Sequence, residues 1–165
     1  MPDKLNRGPL ISSGLLIGAG MGGFVDGIVF HQILQAHNML SNRIPPDNLV
    51  SAKINMTWDG YFHAGVWVVT IIGLAMLFKA GKRRDVPWSG RILLGSLIAG
   101  WGLFNLVEGI IDHHLLRIHH VYEYTANKLS FDLAFLLMGG VGLLLLGWLL
   151  IRSGSRDVVP RGETP

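Results

Sequence analysis

The chain has 165 residues, of which 50% are hydrophobic and only 15% are charged. A soluble domain carries about 25% charged residues, so this composition indicates a membrane protein. The sequence contains no cysteine, which excludes disulfides, thiolate zinc sites, iron–sulfur clusters and cysteine nucleophiles.

Four stretches are long and apolar enough to cross the hydrocarbon core as helices, which takes roughly 20 residues. Their apolar runs are continuous rather than alternating, so membrane strands are not expected. The predicted spans, in chain order, are about 10–39, 58–78, 92–116 and 129–151. The predicted fold is therefore an all-α membrane protein, with a cytoplasmic N-terminus over 1–9, a four-helix transmembrane domain over 10–152 and a disordered cytoplasmic tail over 153–165.

The basic residues predict the orientation, because Lys and Arg favour the cytoplasmic side of a membrane protein. Ten of the fourteen lie before span one, between spans two and three, or after span four: Lys4, Arg7, Lys79, Lys82, Arg83, Arg84, Arg91, Arg152, Arg156 and Arg161. Most basic residues thus lie on one side of the predicted bundle, and the net charge of +3 gives no indication of nucleic-acid binding. Both termini are expected in the cytoplasm, and the loops near 40–57 and 117–128 are expected to face outward.

Polar residues gather in the outward half of the predicted bundle. All seven histidines lie there: His31, His37, His63, His113, His114, His119 and His120. So do seven of the eleven acidic residues: Asp26, Asp47, Asp59, Glu108, Asp112, Glu123 and Asp132. A charged side chain at the helix centre costs about 2.5–3.5 kcal/mol on insertion scales. Helices that carry such groups at one depth are therefore expected to turn them toward one another.

The sequence also contains an internal repeat. The repeated pattern is an acid, a glycine, two aliphatic residues, a variable residue and a histidine, with a second histidine six residues later. The first copy contains Asp26, His31 and His37, and the second copy contains Glu108, His113 and His119. The offset is 82 residues (26 to 108), and Asp59 repeats as Asp132 at an offset of 73. His63 has Leu136 as its counterpart. Spans 1–2 and 3–4 are thus expected to form two parallel hairpin repeats.

Helical geometry does not place all of these groups on one face. At about 100° per residue, Asp26 and His37 share a face, whereas His31 lies roughly 140° away. Either the helix bends near the glycine, or two stripes of ligands serve two layers or two metals.

Histidine and carboxylate together form a ligand set for zinc, iron, manganese or copper(II). We therefore expect one or two transition metals at the periplasmic end of the bundle. The candidate ligands are Asp26, His31, His37, Asp59, His63, Glu108, Asp112, His113 and His119. His114 and His120 also fit the headgroup region, and Asp132 fits either the site or a helix cap.

Three segments, GFVDGIVFHQILQ (23–35), DGYFHA (59–64) and LFNLVEGIIDHHLL (103–116), resemble an uncharacterised bacterial family of small four-helix integral membrane proteins. The resemblance covers about 10–150. It implies a location in the bacterial inner membrane, and a polar signature of Asp26, His31, His37, Asp59, His63, Glu108, Asp112, His113, His114, His119 and His120. Members encoded near copper-oxidase assembly factors favour copper among the metals.

Three functions remain open. The first is a membrane metalloprotein with copper, iron or zinc, which serves either metal handling or redox chemistry as a metal-dependent oxidoreductase. The second is a b-type cytochrome with His31 and His113 as axial haem ligands. The third is a metal-free proton or cation relay, or a structural subunit of a larger complex. The expected partners are the lipid bilayer and other membrane subunits or further copies of the chain.

Overall fold

The computed structural model describes residues 5–155, and these contain four helices long and apolar enough to cross a membrane. The helices are α1 (Gly8–Ile33), α2 (Leu49–Gly81), α3 (Gly90–Leu115) and α4 (Lys128–Gly154). No strand occurs within this part of the chain. The predicted all-α membrane fold with four spans is confirmed. The orientation of the termini and the internal repeat stay predictions, and the tail beyond residue 155 lies outside the described residues, as do Lys4, Arg156 and Arg161.

The first span is shorter than predicted, because α1 ends at Ile33 rather than near residue 39. Its last section, Asp26–Ile33, is π-helical. The following residue pairs with the same section, since Leu34 donates its N–H to the carbonyl of Val29. Gln35 then adopts a φ of 49°, a left-handed conformation that cannot continue a right-handed helix. The chain therefore leaves the helix before it reaches His37.

The third helix ends in the same way. Its last section, Gly109–Leu115, is π-helical, and Arg117 adopts a φ of 50° two residues later. The fourth helix contains a further π-helical section, Phe135–Gly142. Apolar periodicity does not reveal such sections, because they change the number of residues per turn without changing composition.

The second helix begins at Leu49, before the predicted start near residue 58. A capping box explains this early start. The side chain of Asn48 accepts hydrogen bonds from the backbone N–H groups of Val50 and Ser51, and the Ser51 hydroxyl bonds back to the Asn48 backbone. At the other end of the fold, α4 continues through Gly154, into the segment predicted as a disordered tail.

The central pair of helices is α1 and α3, with α2 packed on α1 and α4 packed on α3. The central pair approaches very closely. A Cβ atom on Gly18 would lie 2.0 Å from the carbonyl oxygen of Leu97, and one on Gly100 would lie 2.1 Å from that of Leu15. Only glycine permits such backbone contact, which is common between membrane helices. This packing brings the ends of α1 and α3 together, and the polar residues lie there.

Candidate metal centre

Six buried polar side chains converge where α1 and α3 end. They are Asp26, His31, His37, Glu108, His113 and His119, and each is no more than 5% exposed. Three overlapping groups of these residues offer ligand atoms within 4.8 Å of one another: His31, His37 and His119; Glu108, His113 and His119; and Asp26, His37 and Glu108. We call this set the six-residue cluster. Both halves of the chain contribute to it equally.

The π-helical sections explain how the acid and the first histidine of each half reach the same place. In a π-helix the backbone hydrogen bond joins residues five apart, so residues five apart lie one above the other. Asp26 and His31 have this spacing, and their Oδ2 and Nε2 atoms lie 2.9 Å apart. Glu108 and His113 have the same spacing in α3. A regular α-helix would point the two side chains of each pair in different directions.

The second histidine of each half comes from a loop. His37 and His119 follow the left-handed residues Gln35 and Arg117, outside the helices. The Nδ1 of His37 lies 2.9 Å from the carbonyl oxygen of Val121. The Nδ1 of His119 lies 3.2 Å from the carbonyl oxygen of Met39.

A carbonyl can only accept, so Nδ1 carries the proton in both rings and Nε2 is left with its lone pair. The Nε2 of His37 lies 3.4 Å from a carboxylate oxygen of Asp26. The Nε2 of His119 lies 3.4 Å from a carboxylate oxygen of Glu108. In the His119 ring, burial lowers the pKa well below its ordinary value, and the imidazoles of His37 and His113 lower it further. The neutral form thus favoured is the form that binds metals.

Asp59 orients His31 from outside the cluster. The Nδ1 of His31 donates to Asp59 Oδ1 at 2.9 Å, which directs its Nε2 toward Asp26. The same carboxylate accepts the backbone N–H of Met39 at 2.8 Å and the Asn38 amide at 3.0 Å. Such a histidine–carboxylate pair is typical of the shell that surrounds metal ligands.

The polar atoms of the cluster are incompletely hydrogen-bonded. Among residues 5–155, several buried side-chain atoms have no hydrogen-bond partner: Asp26 Oδ2, His31 Nε2, His37 Nε2, Glu108 Oε2, both ring nitrogens of His113, and His114 Nε2. An unpaired buried group costs about 1–3 kcal/mol. All but one of these atoms belong to the six-residue cluster, so the cost is concentrated at one point of the fold.

The spacing of these atoms fits a metal. Asp26 Oδ2 and His31 Nε2 lie 2.9 Å apart without hydrogen-bond alignment, and His37 Nε2 lies 3.4 Å from Asp26 Oδ1. Two ligand atoms bound about 2.1 Å from one ion and at right angles to each other would lie about 3.0 Å apart. These two pairs of atoms therefore have about the separation of neighbouring ligands of one ion.

Three further predicted ligands, Asp59, His63 and Asp112, lie outside the cluster. His63 donates from Nδ1 to the backbone carbonyl of Asp59 at 2.7 Å. Its ring lies against Gly27, where an added Cβ would meet Nε2 at 2.6 Å. Leu136 packs in the same way against Gly109. Asp112 is half-buried and belongs to none of the three groups.

Residues that the sequence left undecided or missed surround the cluster. Asp132 is 1% exposed and accepts hydrogen bonds from the Nδ1 of His120 at 2.6 Å and from the backbone N–H of Val121 at 3.0 Å. His114 is half-buried, and its Nε2 has no hydrogen-bond partner among the described residues. Sequence reasoning missed Asn38, which bonds to Asp59. The 82-residue offset could have found it, because Asn38 corresponds to His120.

Residues 13–154 match a family model described as "Predicted membrane protein (DUF2243)". No curated protein and no solved structure matches the chain.

Proposed function

Because the chain belongs to the DUF2243 family of predicted membrane proteins, whose function is not known, we propose from its own residues that it is a multi-pass membrane metalloprotein. The six-residue cluster holds a transition metal inside the helix bundle. Copper and iron are favoured and zinc is the alternative, since all three accept imidazole and carboxylate ligands. The cluster faces the periplasm of a bacterial inner membrane if the basic residues set the orientation.

The observation that carries this proposal is the concentration of unpaired ligand atoms in the cluster. Two carboxylates and four imidazoles from both halves of the chain are buried together, and most of their inward-facing atoms have no hydrogen bond among the described residues. Structural packing alone would favour paired polar groups. A bound cation compensates the two buried carboxylates and uses the lone pairs of the imidazoles.

The geometry of the cluster allows either metal handling or chemistry on the metal. Each of the three overlapping groups offers three ligand atoms within 4.8 Å of one another. Three protein donors leave a coordination position open, as in sites where a metal activates a substrate. When bound, such a metal would supply electron transfer or a store of ions for delivery. The chain's own residues bury it, orient its ligands and exclude water.

The haem alternative is disfavoured by crowding. In a cytochrome, His31 and His113 would lie on opposite sides of a macrocycle. The ring of His37 lies 4.7 Å from that of His31, and the ring of His119 lies 4.9 Å from that of His113, measured between centroids. These two imidazoles occupy the space that the macrocycle would need.

A relay across the membrane is also less favoured. The buried hydroxyls toward the other end of the central helices belong to Ser13 and Ser96. They donate to the carbonyls of Leu10 and Ile92 in their own helices, at 2.9 and 2.7 Å. Such internally satisfied groups do not continue the cluster toward the opposite side.

Elemental analysis of the protein purified in mild detergent, before and after loading with copper, iron or zinc, tests the proposal. We expect stoichiometric metal in the wild type. Glu108→Gln, which keeps the size of the side chain but removes its charge, should bind much less. The matched control is His63→Leu, because His63 lies outside the cluster and leucine fits the corresponding position at Leu136. A wild type that stays metal-free after loading contradicts the proposal.

A further inference from the structure

Two carboxylates at corresponding positions hold two corresponding histidines differently. Asp59 Oδ1 lies 2.9 Å from His31 Nδ1, in a hydrogen bond. Asp132 Oδ1 lies 3.5 Å from His113 Nδ1, and that nitrogen has no hydrogen-bond partner among residues 5–155. Both carboxylates are buried, so the difference does not arise from exposure to water.

The backbone around the two carboxylates is the same. Asp59 Oδ1 accepts the N–H of Met39 at 2.8 Å, and Asp132 Oδ1 accepts the N–H of Val121 at 3.0 Å. Met39 and Val121 correspond at the 82-residue offset. The helix position and the loop contact therefore do not explain why Asp132 stands farther from its histidine.

The third partner of each carboxylate is different. Asp59 Oδ2 accepts the Asn38 amide at 3.0 Å. Asp132 Oδ2 instead accepts the Nδ1 of His120 at 2.6 Å. Asn38 and His120 also correspond at the 82-residue offset. A hydrogen bond between imidazole and carboxylate is shorter and stronger than one from a neutral amide. His120 therefore competes with His113 for Asp132 more effectively than Asn38 competes with His31 for Asp59.

The consequence falls on His113. Neither of its ring nitrogens is hydrogen-bonded, so packing against the rings of His119 and Phe135 holds it but no hydrogen bond sets its tautomer. Removing the partner that orients a metal-binding histidine typically costs 10–100-fold in affinity, an order-of-magnitude range. Of the two cluster histidines that lie on helices, His113 is therefore held less firmly. The hydrogen bond to Asp59 holds His31 in place.

We propose that His120 is a positioning residue that makes His113 the exchangeable ligand, so that metal enters and leaves from the α3–α4 side of the cluster. This inference rests on the proposed function. His120 is suited to the role because its side chain is 17% exposed while that of Asp132 is 1% exposed. It connects the outer surface to the most loosely held ligand.

The test exchanges the two corresponding residues and measures the rate of metal release. Wild type, His120→Asn and Asn38→His are loaded with Zn²⁺, and release to excess EDTA is followed. His120→Asn should free Asp132 to bond His113 and slow release by about tenfold or more. Asn38→His should draw Asp59 from His31 and speed release. His63→Leu is the matched control and should release zinc at the wild-type rate.

The direction of the effect distinguishes positioning from a merely structural role. Damage to the fold would speed release in every variant, whereas the inference requires His120→Asn to slow it. Unchanged or faster release from His120→Asn overturns the inference while zinc binding by the wild type leaves the proposed function intact. If His120→Asn does not fold, His120→Ala decides the question by the same criterion. A wild type that takes up no zinc, copper or iron contradicts the proposed function itself, and with it this inference.

Discussion

The rings of His37 and His119 stack face to face at the centre of the cluster, with centroids 4.6 Å apart and planes within 1° of parallel. Each ring is held by the loop that carries the other histidine. The Nδ1 of His37 donates to the carbonyl of Val121, two residues after His119. The Nδ1 of His119 donates to the carbonyl of Met39, two residues after His37. The loops that follow α1 and α3 therefore fix each other's histidine side chain. Neither half of the chain can complete the site alone.

We expect Asp59→Asn and Asp132→Asn to differ in their effect on metal affinity. Asp59 orients His31 through a 2.9 Å hydrogen bond, so its loss should weaken binding about 10–100-fold. Asp132 lies 3.5 Å from His113, so Asp132→Asn should cost less. Calorimetric titration with Zn²⁺ measures both, and Asp47→Asn in the exposed outer loop is the control. Equal losses at the two positions would contradict this description of the shell around the ligands.

The close contact of α1 and α3 predicts a strong effect of single methyl groups. Gly18→Ala and Gly100→Ala each place a Cβ about 2 Å from a backbone oxygen of the partner helix, and this overpacking should cost at least roughly 1–3 kcal/mol. The melting temperature in detergent should fall. Gly65→Ala is the control, since nothing lies within 4 Å of its added Cβ, and it should be neutral or slightly stabilising. Wild-type melting of Gly18→Ala would contradict this packing.

Substitution by glycine should lower the free energy of unfolding at Gln32 but not at Gln35. Both glutamines are exposed, yet Gln35 has a φ of 49°, which costs a residue with a side chain about 1–2 kcal/mol. Gln35→Gly relieves this strain and should not lower the free energy of unfolding. Gln32→Gly, inside the helix, should lower it by roughly 0.5–1 kcal/mol. Reversible denaturation in mixed micelles measures both, and equal destabilisation would argue against the left-handed turn that ends α1.

Much of the fold could be predicted from hydropathy. The four spans follow from long apolar runs, and the six residues of the cluster all belong to the set predicted from the sequence. The orientation and the repeat remain predictions, although many contacts correspond at the 82-residue offset. One example is the pair of left-handed residues Gln35 and Arg117.

The arrangement of the ligands could not be predicted, because it depends on local backbone geometry. A regular helix would separate Asp26 from His31, whereas the π-helical section places them 2.9 Å apart. The helix also ends before His37, so the helical face that Asp26 and His37 were expected to share does not exist. The signal that the sequence did offer is the five-residue spacing of acid and histidine in both halves, which matches one hydrogen-bonded π-turn.

His63 illustrates a second limit of the sequence. Its depth in span two and its spacing from Asp59 made it a leading candidate, but its ring packs on Gly27 outside the cluster. Hydrogen bonding to its own helix, at the carbonyl of Asp59, satisfies Nδ1. The mismatch with Leu136 was the one available indication, since a ligand required by a paired site would be expected in both halves.

X-ray absorption at the metal edge of the purified, metal-loaded protein tests the central claim most directly. The account predicts a shell of nitrogen and oxygen donors at roughly 2.0–2.2 Å, with the outer-shell scattering of several imidazoles, and its loss in Glu108→Gln but not in His63→Leu. A spectrum without imidazole scattering, or one unchanged by Glu108→Gln, would contradict a metal held by the six-residue cluster.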